Sequence, residues 1–338
     1  MGGGLVRAAL AEGFDLRVIA RAGSDRSSLA GLSVEWVEAD LLDAETLNDA
    51  FAGCTLVFHA AGIFSYWDTP GLEERILAAT RHVMEQAARQ GVRGFIHTSS
   101  AVAVGATRRP VALDAREDRP LPDDPIYVRA KRREEKLAVE LAAKLGLELR
   151  IVCPSLVIGS PDHRLSEGNR MILSYLKDPW KSTWLGGVNL VHVEDVARAM
   201  LLVAARGEAG QRYLVAGENL HWREVHSLIS ELAGLPGPFL TGNHTAAYLA
   251  ALWAEARARL SNDRPDTTRE QAKMVGNYYW YDAGPLRAWG WQPQPAKRAL
   301  ANALAGMLGK PWIPAPVRAE MELSEAVRAE KANMGYAV

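Results

Sequence analysis

The stretch from Asp124 to Val152, DPIYVRAKRREEKLAVELAAKLGLELRIV, predicts a helix followed by a buried strand. Asp124 is a good N-cap residue, Pro125 suits the first helical position, and Gly146 stands where helices commonly end. The apolar end of the stretch has the composition of a strand. Another apolar run, Gly94–His97, lies before the helix. Together these segments predict a strand–helix–strand unit.

The same alternation of apolar runs and helical periodicity covers the first half of the chain. Further strands are predicted at Leu16–Ala20, Val34–Val37 and Leu56–His59, and further helices at Leu5–Glu12, Ala44–Phe51 and Leu72–Gln90. Helices that link parallel strands make right-handed crossovers and cover both faces of the sheet. The pattern therefore predicts an α/β fold with a doubly wound, parallel, Rossmann-type sheet.

The composition of the chain excludes several classes of protein. Its 338 residues contain 39 lysines and arginines against 40 aspartates and glutamates, so the net charge of −1 gives no general attraction to nucleic acid. The two cysteines, Cys54 and Cys153, lie far apart, which excludes a disulfide framework and predicts no metal site. A reducing, cytoplasmic location is therefore expected. No apolar run reaches the ~18 residues that a membrane span requires.

The domain organisation follows from a change of pattern after the strand that ends the quoted stretch. Residues 1–155, with 189–216, predict the Rossmann-type domain. Residues 160–188 and 217–308 predict a smaller, mostly helical C-terminal part that binds the substrate. Residues 309–338 contain three prolines among charged residues and predict a peripheral tail.

One helix in the second half has an unusual amount of apolar surface. The segment Thr245–Leu260 is predicted to be helical, with Ala246, Leu249, Ala250 and Trp253 on one face and arginines toward its end. Two interpretations exist for such a helix: packing in the core or lid of the smaller domain, or binding to a membrane surface. The first is the more common one, and we expect this face to be buried.

Tyr127 and Lys131 are the first candidate catalytic residues, since their spacing puts them one turn apart on one helix face. An ammonium group lowers the pKa of a neighbouring phenol, which makes the phenol a candidate general acid–base. The same spacing also arises by chance in chains of this composition. Ser100 follows the strand Gly94–His97, at the edge where open α/β sheets bind ligands, although a hydroxyl there could simply cap the strand.

Taken in this order, Ser100, Tyr127 and Lys131 resemble the catalytic triad of the extended short-chain dehydrogenase/reductase family. The resemblance extends from about residue 2 to about residue 308. Further stretches are similar to segments of that family: Asp40–Leu41, His59–Gly62, Pro154–Gly159, Val191–Ala197 and Gly210–Leu214. Within the family, of the NAD-dependent epimerase/dehydratase type, the chain is most similar to the dihydroflavonol-4-reductase-like branch, which includes hopanoid-associated sugar-epimerase-like proteins.

The resemblance implies a role for each matching residue. Tyr127 would be the general acid–base, Lys131 would lower its pKa and hold the nicotinamide ribose, and Ser100 would orient the substrate. The cofactor would contact Gly2, Arg21, Asp40, Leu41, Ala60, Ala61, Gly62, Lys131, Pro154 and Ser155. The implied activity is that of an oxidoreductase, with hydride transfer between a nicotinamide and a ketone or secondary alcohol.

The end of the second predicted strand bears on the choice of cofactor. Folds of this type that prefer NAD place an acidic residue there, whereas NADP requires a cation. Here Arg21 follows the strand and offers a planar fork for a phosphate group. The sequence therefore favours NADP, and Asp25 leaves NAD as an alternative.

The chain departs from the family at its beginning. The family opens with a strand and a glycine-rich turn, but here Gly2 aligns with the third glycine of that turn. The first strand is therefore expected to be missing between the strands near Leu16 and Leu56, and Met1 is expected to be an internal methionine.

Ile76 replaces an asparagine that supports a proton relay in many relatives, and Leu156 replaces an asparagine common in nucleotide-sugar enzymes.

Three functional interpretations follow. The NADP(H)-dependent oxidoreductase is favoured; a sugar epimerase or dehydratase uses the same Tyr and Lys; and a non-catalytic dinucleotide-binding protein or an inactive truncated fragment is the third. The expected partner is a small-molecule substrate, and paired long helices on one sheet face would allow a homodimer.

Aromatic residues in variable segments are candidates for the substrate wall: Phe64, Tyr66, Trp67, Trp180 and Trp184.

Overall fold

The computed structural model of the protein describes residues 1–67, 70–261 and 263–334. Its strands are β1 Arg17–Ala20, β2 Glu35–Glu38, β3 Leu56–His59, β4 Gly94–Thr98, β5 Glu148–Pro154, β6 Leu156–Ile158, β7 Ser182–Trp184, β8 Gly187–His192, β9 Arg212–Val215, β10 Glu218–His221, β11 Leu240–Gly242 and β12 Tyr278–Tyr279. Its helices are α1 Gly2–Ala11, α2 Leu72–Arg89, α3 Ile126–Leu145, α4 Glu167–Lys177, α5 Val193–Arg206, α6 Trp222–Ala233, α7 His244–Ser261, α8 Arg269–Ala272, α9 Gly284–Ala288, α10 Ala296–Leu308, α11 Ala315–Ala319 and α12 Glu325–Asn333.

The predicted parallel sheet is present, in two pieces. The larger piece has the strand order β3-β4-β5-β9 and is parallel throughout, while β1 and β2 form a separate parallel pair. Helices α2 and α3 pack together on one side, and α1 and α5 pack together on the other. The fold is therefore the doubly wound α/β fold that the sequence predicts.

The interruption of the sheet lies between β1 and β3. A cavity of about 1470 Å³ is lined by all four residues of β1 and all four of β3, together with residues of α1 and α2. Within the described residues, no strand lies in this gap, which is where the first strand of the fold was expected to be missing. The facing backbone edges of β1 and β3 therefore have no ladder partner on that side.

The second half of the chain builds its own hydrophobic core. Strands β10, β8 and β12 form a sheet that β6 joins through β8, and α4, α6 and α10 cover it. The last segment, predicted to be a peripheral tail, also belongs to this core. Helix α12 packs on α10, and both Ile313 and Val327 are buried. The burial of these apolar residues was not predicted, because they are widely spaced among prolines and charged residues.

Two local predictions need correction. The segment Ala44–Phe51 forms only a short 3-10 turn over Ala44–Leu47, which the Asp43 carboxylate caps. Asp124 does not cap α3, because Pro125 occupies the cap position. The Asp124 side chain is buried instead, where it accepts a hydrogen bond from the Leu121 amide (3.0 Å) and pairs with Arg132 (2.6 Å).

Helix α7 also differs from the prediction. Its buried residues include Ala247, Ala251 and Ala258, whereas Leu249 and Trp253 are 60% and 66% exposed. The small alanines allow α7 to lie close against its neighbours α8 and β11, so the larger apolar side chains face outward. Across the described ranges, no helix is both long and apolar enough to cross a membrane.

Candidate active site

The site forms where β4 and α3 meet. Tyr127 and Lys131 lie one turn apart near the start of α3, and both side chains are buried. Ser100 lies two residues beyond the carboxyl end of β4, and its hydroxyl is near enough to the Tyr127 phenol to lower the pKa of that phenol. The three residues that the sequence singled out are therefore brought together at one edge of the sheet.

Lys131 is held by two contacts. Its Nζ donates to the Thr98 carbonyl at 3.1 Å and to Glu134 Oε2 at 2.6 Å. Glu134 lies on the next turn of α3 and is as buried as Lys131, so the ammonium and the carboxylate form a buried ion pair. Glu134 was not predicted as a site residue, although its position three residues after Lys131 places it on the same helix face.

The pKa of Tyr127 is raised on balance, although Lys131 acts in the expected, lowering direction. Burial raises the pKa of the phenol above its ordinary value, and the Glu134 carboxylate acts in the same direction. Lys131 and the Ser100 hydroxyl lower the pKa, but they do not offset burial. The phenol is therefore protonated at neutral pH, which makes it a proton donor.

A cluster of buried polar residues continues from Glu134 into the sheet. The Thr80 hydroxyl donates to Glu134 Oε1 at 2.7 Å, and His59 Nε2 lies 3.4 Å from the Thr80 hydroxyl. His97 stacks on His59, with ring centroids 5.7 Å apart, and neither of its ring nitrogens has a hydrogen-bond partner among the described residues.

This cluster also contains a possible set of metal donors. The ligand atoms of His59, His97 and Glu134 lie within 4.8 Å of one another, and two imidazoles with one carboxylate are a donor set that zinc accepts. However, the Lys131 ammonium already supplies a positive charge to Glu134. A cation among these residues would have to displace or repel Lys131, so we assign no metal to them.

Burial lowers the pKa of both His59 and His97 to about 3, and the charge of Lys131 acts in the same direction. The unfolded chain binds protons near pH 6.5 and the folded chain does not, so stability falls as the pH drops below that value. We expect a loss of about 1.4 kcal/mol per pH unit for each histidine. Denaturant titrations at a series of pH values measure the free energy of unfolding, which should fall less steeply with decreasing pH in His97→Leu than in the parent. The same slope in both proteins would contradict the low pKa of His97.

Aromatic side chains surround the phenol. The rings of Phe64 and Tyr66 lie 4.3 Å and 5.8 Å from the ring of Tyr127, measured between centroids. Of the other candidate wall residues, Trp67 is half-buried next to Tyr66, whereas Trp180 is 68% exposed on a distant surface turn. Trp184 packs against α7. Among the described residues, the rings packed against Tyr127 are therefore those of Phe64 and Tyr66, in the segment that follows β3.

Most of the predicted cofactor residues line the cavity between β1 and β3. It is lined by Gly2, Arg21, Asp40, Leu41, Ala60, Ala61, Gly62 and Lys131. Pro154 and Ser155 lie at the carboxyl end of β5, outside this lining.

The residues of this cavity fit a dinucleotide. Gly2 and Gly3 place the N-terminus of α1 against the cavity, and helix N-termini attract phosphate groups. No atom lies within 4 Å of the position that a side chain on Gly2 would occupy. Outside this lining, the buried Ser155 hydroxyl has no hydrogen-bond partner in the described part of the chain.

A smaller cavity of about 680 Å³ opens beside Arg21, after the end of β1. Arg164, which precedes α4, reaches this cavity from the second half of the chain, so two guanidinium groups line it. Asp25, Glu38 and Asp40 line it as well. Arg164 was not predicted, because its sequence context gives no indication that it approaches β1.

Comparison with known proteins identifies the family. The family model described as the NAD-dependent epimerase/dehydratase family matches residues 1–216. The chain belongs to the NAD-dependent epimerase/dehydratase family. The resemblance to extended short-chain dehydrogenases/reductases that the sequence indicated is thus confirmed.

Individual relatives of this epimerase/dehydratase chain include reductases. A Synechocystis sp. protein named for dihydroflavonol 4-reductase is 30% identical over 315 residues, 90% of either chain. Sterol demethylase protein B of Methylococcus capsulatus is 34% identical over 242 residues, 71% of this chain and 74% of its own. The crystal structure of gox2253 superposes with a TM-score of 0.79 at 29% identity, covering 93% of this chain and 96% of that one.

These comparisons establish the general activity of this member of the epimerase/dehydratase family. It is an enzyme, an NAD(P)-dependent oxidoreductase, as the sequence predicts. The superposition also confirms the Rossmann-type fold.

Proposed function

We propose that the protein is an NADP(H)-dependent reductase that converts a ketone to a secondary alcohol, with Tyr127 as the proton donor. The observation that supports this most is the placement of Ser100 and the buried Lys131 beside the Tyr127 phenol, with Lys131 one helical turn away on α3. A carbonyl oxygen that accepts hydrogen bonds from both hydroxyls would be polarised and correctly oriented for reduction.

The protonation state of Tyr127 favours the direction of reduction. Reduction of a ketone needs a proton donor, whereas oxidation of an alcohol needs a base. Because burial raises the pKa of Tyr127, the phenol holds its proton at neutral pH. Lys131 stabilises the phenolate that forms when the proton leaves, and Glu134 keeps the ammonium group in position. A bound nicotinamide would supply the hydride.

The expected substrate is an apolar molecule that contains a ring. Phe64 and Tyr66 offer two aromatic faces beside Tyr127, which suits stacking against a flat or fused ring. Leu156, rather than an amide, stands where many nucleotide-sugar enzymes contact their substrate. The names of the relatives, a dihydroflavonol reductase and a sterol demethylase component, agree with this substrate class.

Cofactor stoichiometry tests the proposal. A panel of ring ketones is incubated with the protein and NADPH, and product is quantified alongside the nicotinamide absorbance. We expect one NADPH to be oxidised for each alcohol formed. Product formation with no net change in NADPH would contradict the proposal.

That contrary result would support the second candidate, an epimerase or dehydratase that returns the hydride to its substrate. The description of the matching family favours this candidate, since it names epimerases and dehydratases. Retention of Ser100, Tyr127 and Lys131 in one site argues against a protein that only binds the dinucleotide.

The preference for NADP depends on Arg21, which is exposed beside the smaller cavity. Arg21→Asp removes a hydrogen-bonded cation from the phosphate that distinguishes NADP, and a contact of that kind contributes ~1.5–3 kcal/mol. We therefore expect the Kd for NADPH to rise about 10- to 100-fold, with a smaller change for NADH. Fluorescence titration of both cofactors measures the ratio.

Arg26→Asp is the matched control for this change, because the Arg26 guanidinium already pairs with Glu38 and lies over the Trp36 ring. It should leave the ratio of the two affinities close to that of the parent. An equal loss of NADPH and NADH affinity in Arg21→Asp would remove the argument for NADP.

A further inference from the structure

Helix α7 presents apolar side chains to the outside of the protein. We call the exposed residues Tyr248, Leu249, Leu252, Trp253 and Leu260 the α7 patch; their exposed fractions are 38%, 60%, 45%, 66% and 90%. Single exposed apolar residues are common, but five on one helix of 18 residues are not. A surface of this kind is typical of a binding site.

The charges of α7 are arranged unequally around the helix. Its one acidic residue, Glu255, is buried and accepts hydrogen bonds from the backbone and side chain of Arg269. Its arginines, Arg257 and Arg259, are exposed beside the α7 patch. Arg257 pairs with the Asp266 carboxylate at 3.3 Å, and Lys177 pairs with the same carboxylate at 2.7 Å, so positive charge remains in excess there. The exposed side of α7 is therefore apolar and cationic, with no acidic residue of its own.

The apolar surface continues into the segment that precedes α7. Phe239 and Leu240 are 69% and 52% exposed and lie five and four residues before the first residue of the helix, with Leu240 at the start of β11. The Phe239 amide donates to the Lys181 carbonyl at 3.1 Å. The residue before Lys181 is Trp180, which is also exposed. Aromatic residues thus flank the N-terminal end of α7 as well.

We propose that the α7 patch docks on the surface of an anionic phospholipid membrane. Leucine, tryptophan and tyrosine side chains enter the boundary between head groups and acyl chains, where amphipathic rings are favoured. Arg257 and Arg259 then face the lipid phosphates, and their aliphatic stems extend the apolar contact. Exposed apolar residues beside an excess of exposed cations, Arg257, Arg259 and Lys177 against Asp266, favour an anionic lipid surface over a second protein.

The position of the patch links it to the candidate active site. The Arg259 guanidinium lies over the Trp67 ring, 5.5 Å from its centroid. Trp67 follows Tyr66, whose ring packs edge-on against Tyr127. The C-terminal end of α7 therefore borders the aromatic wall of the site. If the proposed reductase function holds, on which this step rests, a membrane-dissolved ring ketone would enter from the docked side.

Vesicle sedimentation tests the docking proposal without any measurement of activity. The full chain is mixed with vesicles of phosphatidylcholine, alone or with phosphatidylglycerol, at low and high salt. We expect sedimentation with the anionic vesicles and release at high salt. The double variant Leu249→Ser/Trp253→Ser should bind about tenfold more weakly or worse, because it removes two large apolar contacts. Arg257→Gln/Arg259→Gln should lose the preference for anionic lipid.

Val111→Ser/Val139→Ser is the matched control, because it removes two exposed aliphatic residues, 55% and 47% exposed, that lie outside α7. It should bind vesicles like the parent, and circular dichroism should show that all variants fold. Absence of vesicle binding by the parent, or equal binding by the Leu249→Ser/Trp253→Ser variant, overturns the proposal. A parent that is dimeric in light scattering and becomes monomeric in that variant also overturns it, since the patch would then be a protein interface.

Reduction of a water-soluble ketone, measured as NADPH oxidation without vesicles, tests the proposed function independently of membrane docking. Reduction without vesicle binding would leave the reductase assignment intact and remove the docking proposal. Vesicle binding that depends on Leu249 and Trp253, with no NADPH oxidation by any ketone, would support docking and count against the reductase.

Discussion

The Tyr127→Phe variant is expected to reduce ketones about 10²- to 10⁴-fold more slowly than the parent, the usual contribution of a positioned acid or base. The change removes only the hydroxyl that lies beside Ser100 and would protonate the substrate oxygen. Because this hydroxyl acts on the transition state, kcat should fall much more than the affinity for NADPH. Steady-state kinetics and a cofactor titration measure the two quantities.

Tyr175→Phe is the matched control for that variant. Tyr175 is a buried tyrosine whose hydroxyl is bonded to Ser230 in the second core, away from the candidate site. Its loss should lower stability slightly and leave kcat close to that of the parent. Similar kcat values for Tyr127→Phe and the parent would refute the role of Tyr127 as the proton donor.

The Glu134→Ala variant is expected to lower the free energy of unfolding by about 3–5 kcal/mol, the usual effect of removing one partner of a buried ion pair. Without Glu134, the Lys131 ammonium keeps only the Thr98 carbonyl as its partner in a buried position. Thr80 also loses its acceptor. Denaturant unfolding of the parent and the variant measures the difference.

Two further variants make this result specific. Glu140→Ala removes an exposed carboxylate from the same helix and should change stability by less than about 0.5 kcal/mol. Lys131→Met/Glu134→Met replaces both charges by apolar groups and should recover part of the loss. A Glu134→Ala variant as stable as Glu140→Ala would show that the pair is not as buried as the structure indicates.

The sequence could predict strands such as β3 because they are short, nearly continuous apolar runs. The predicted range Leu56–His59 coincides with β3, whereas β2, with the sequence EWVE, begins one residue after the predicted Val34. The segment Ala44–Phe51 was less predictable, since a polar N-cap and an acidic first turn suit a short 3-10 turn as well as a helix.

The candidate site could be predicted only in part. Tyr127 and Lys131 share a helix face through local spacing, and Ser100 follows a strand end, so their meeting depends on topology that the sequence specifies. The approach of Thr80 and His59 to Glu134 depends on how α2 and β3 pack against α3, which no local pattern reports. The approach of Arg164 to β1 is equally long-range.

Helix α7 shows the limit of amphipathic patterns. Periodicity identifies a helix and its apolar face, but it does not say whether that face meets protein, lipid or water. Here the alanine face, with Ala247 and Ala251, is buried, and the face that carries Leu249 and Trp253 is exposed. Residue size decided the orientation, because only the small side chains allow close approach to α8.

The most direct test of the central claim follows the hydride itself. The protein is incubated with a ring ketone and NADPH that carries deuterium at the transferable position of the nicotinamide, and the alcohol is analysed by mass spectrometry and NMR. Net reduction at a site with Tyr127 as the proton donor predicts one deuterium on the carbinol carbon of each product molecule. Product in which that carbon carries no deuterium, with the label retained in the cofactor, would contradict it.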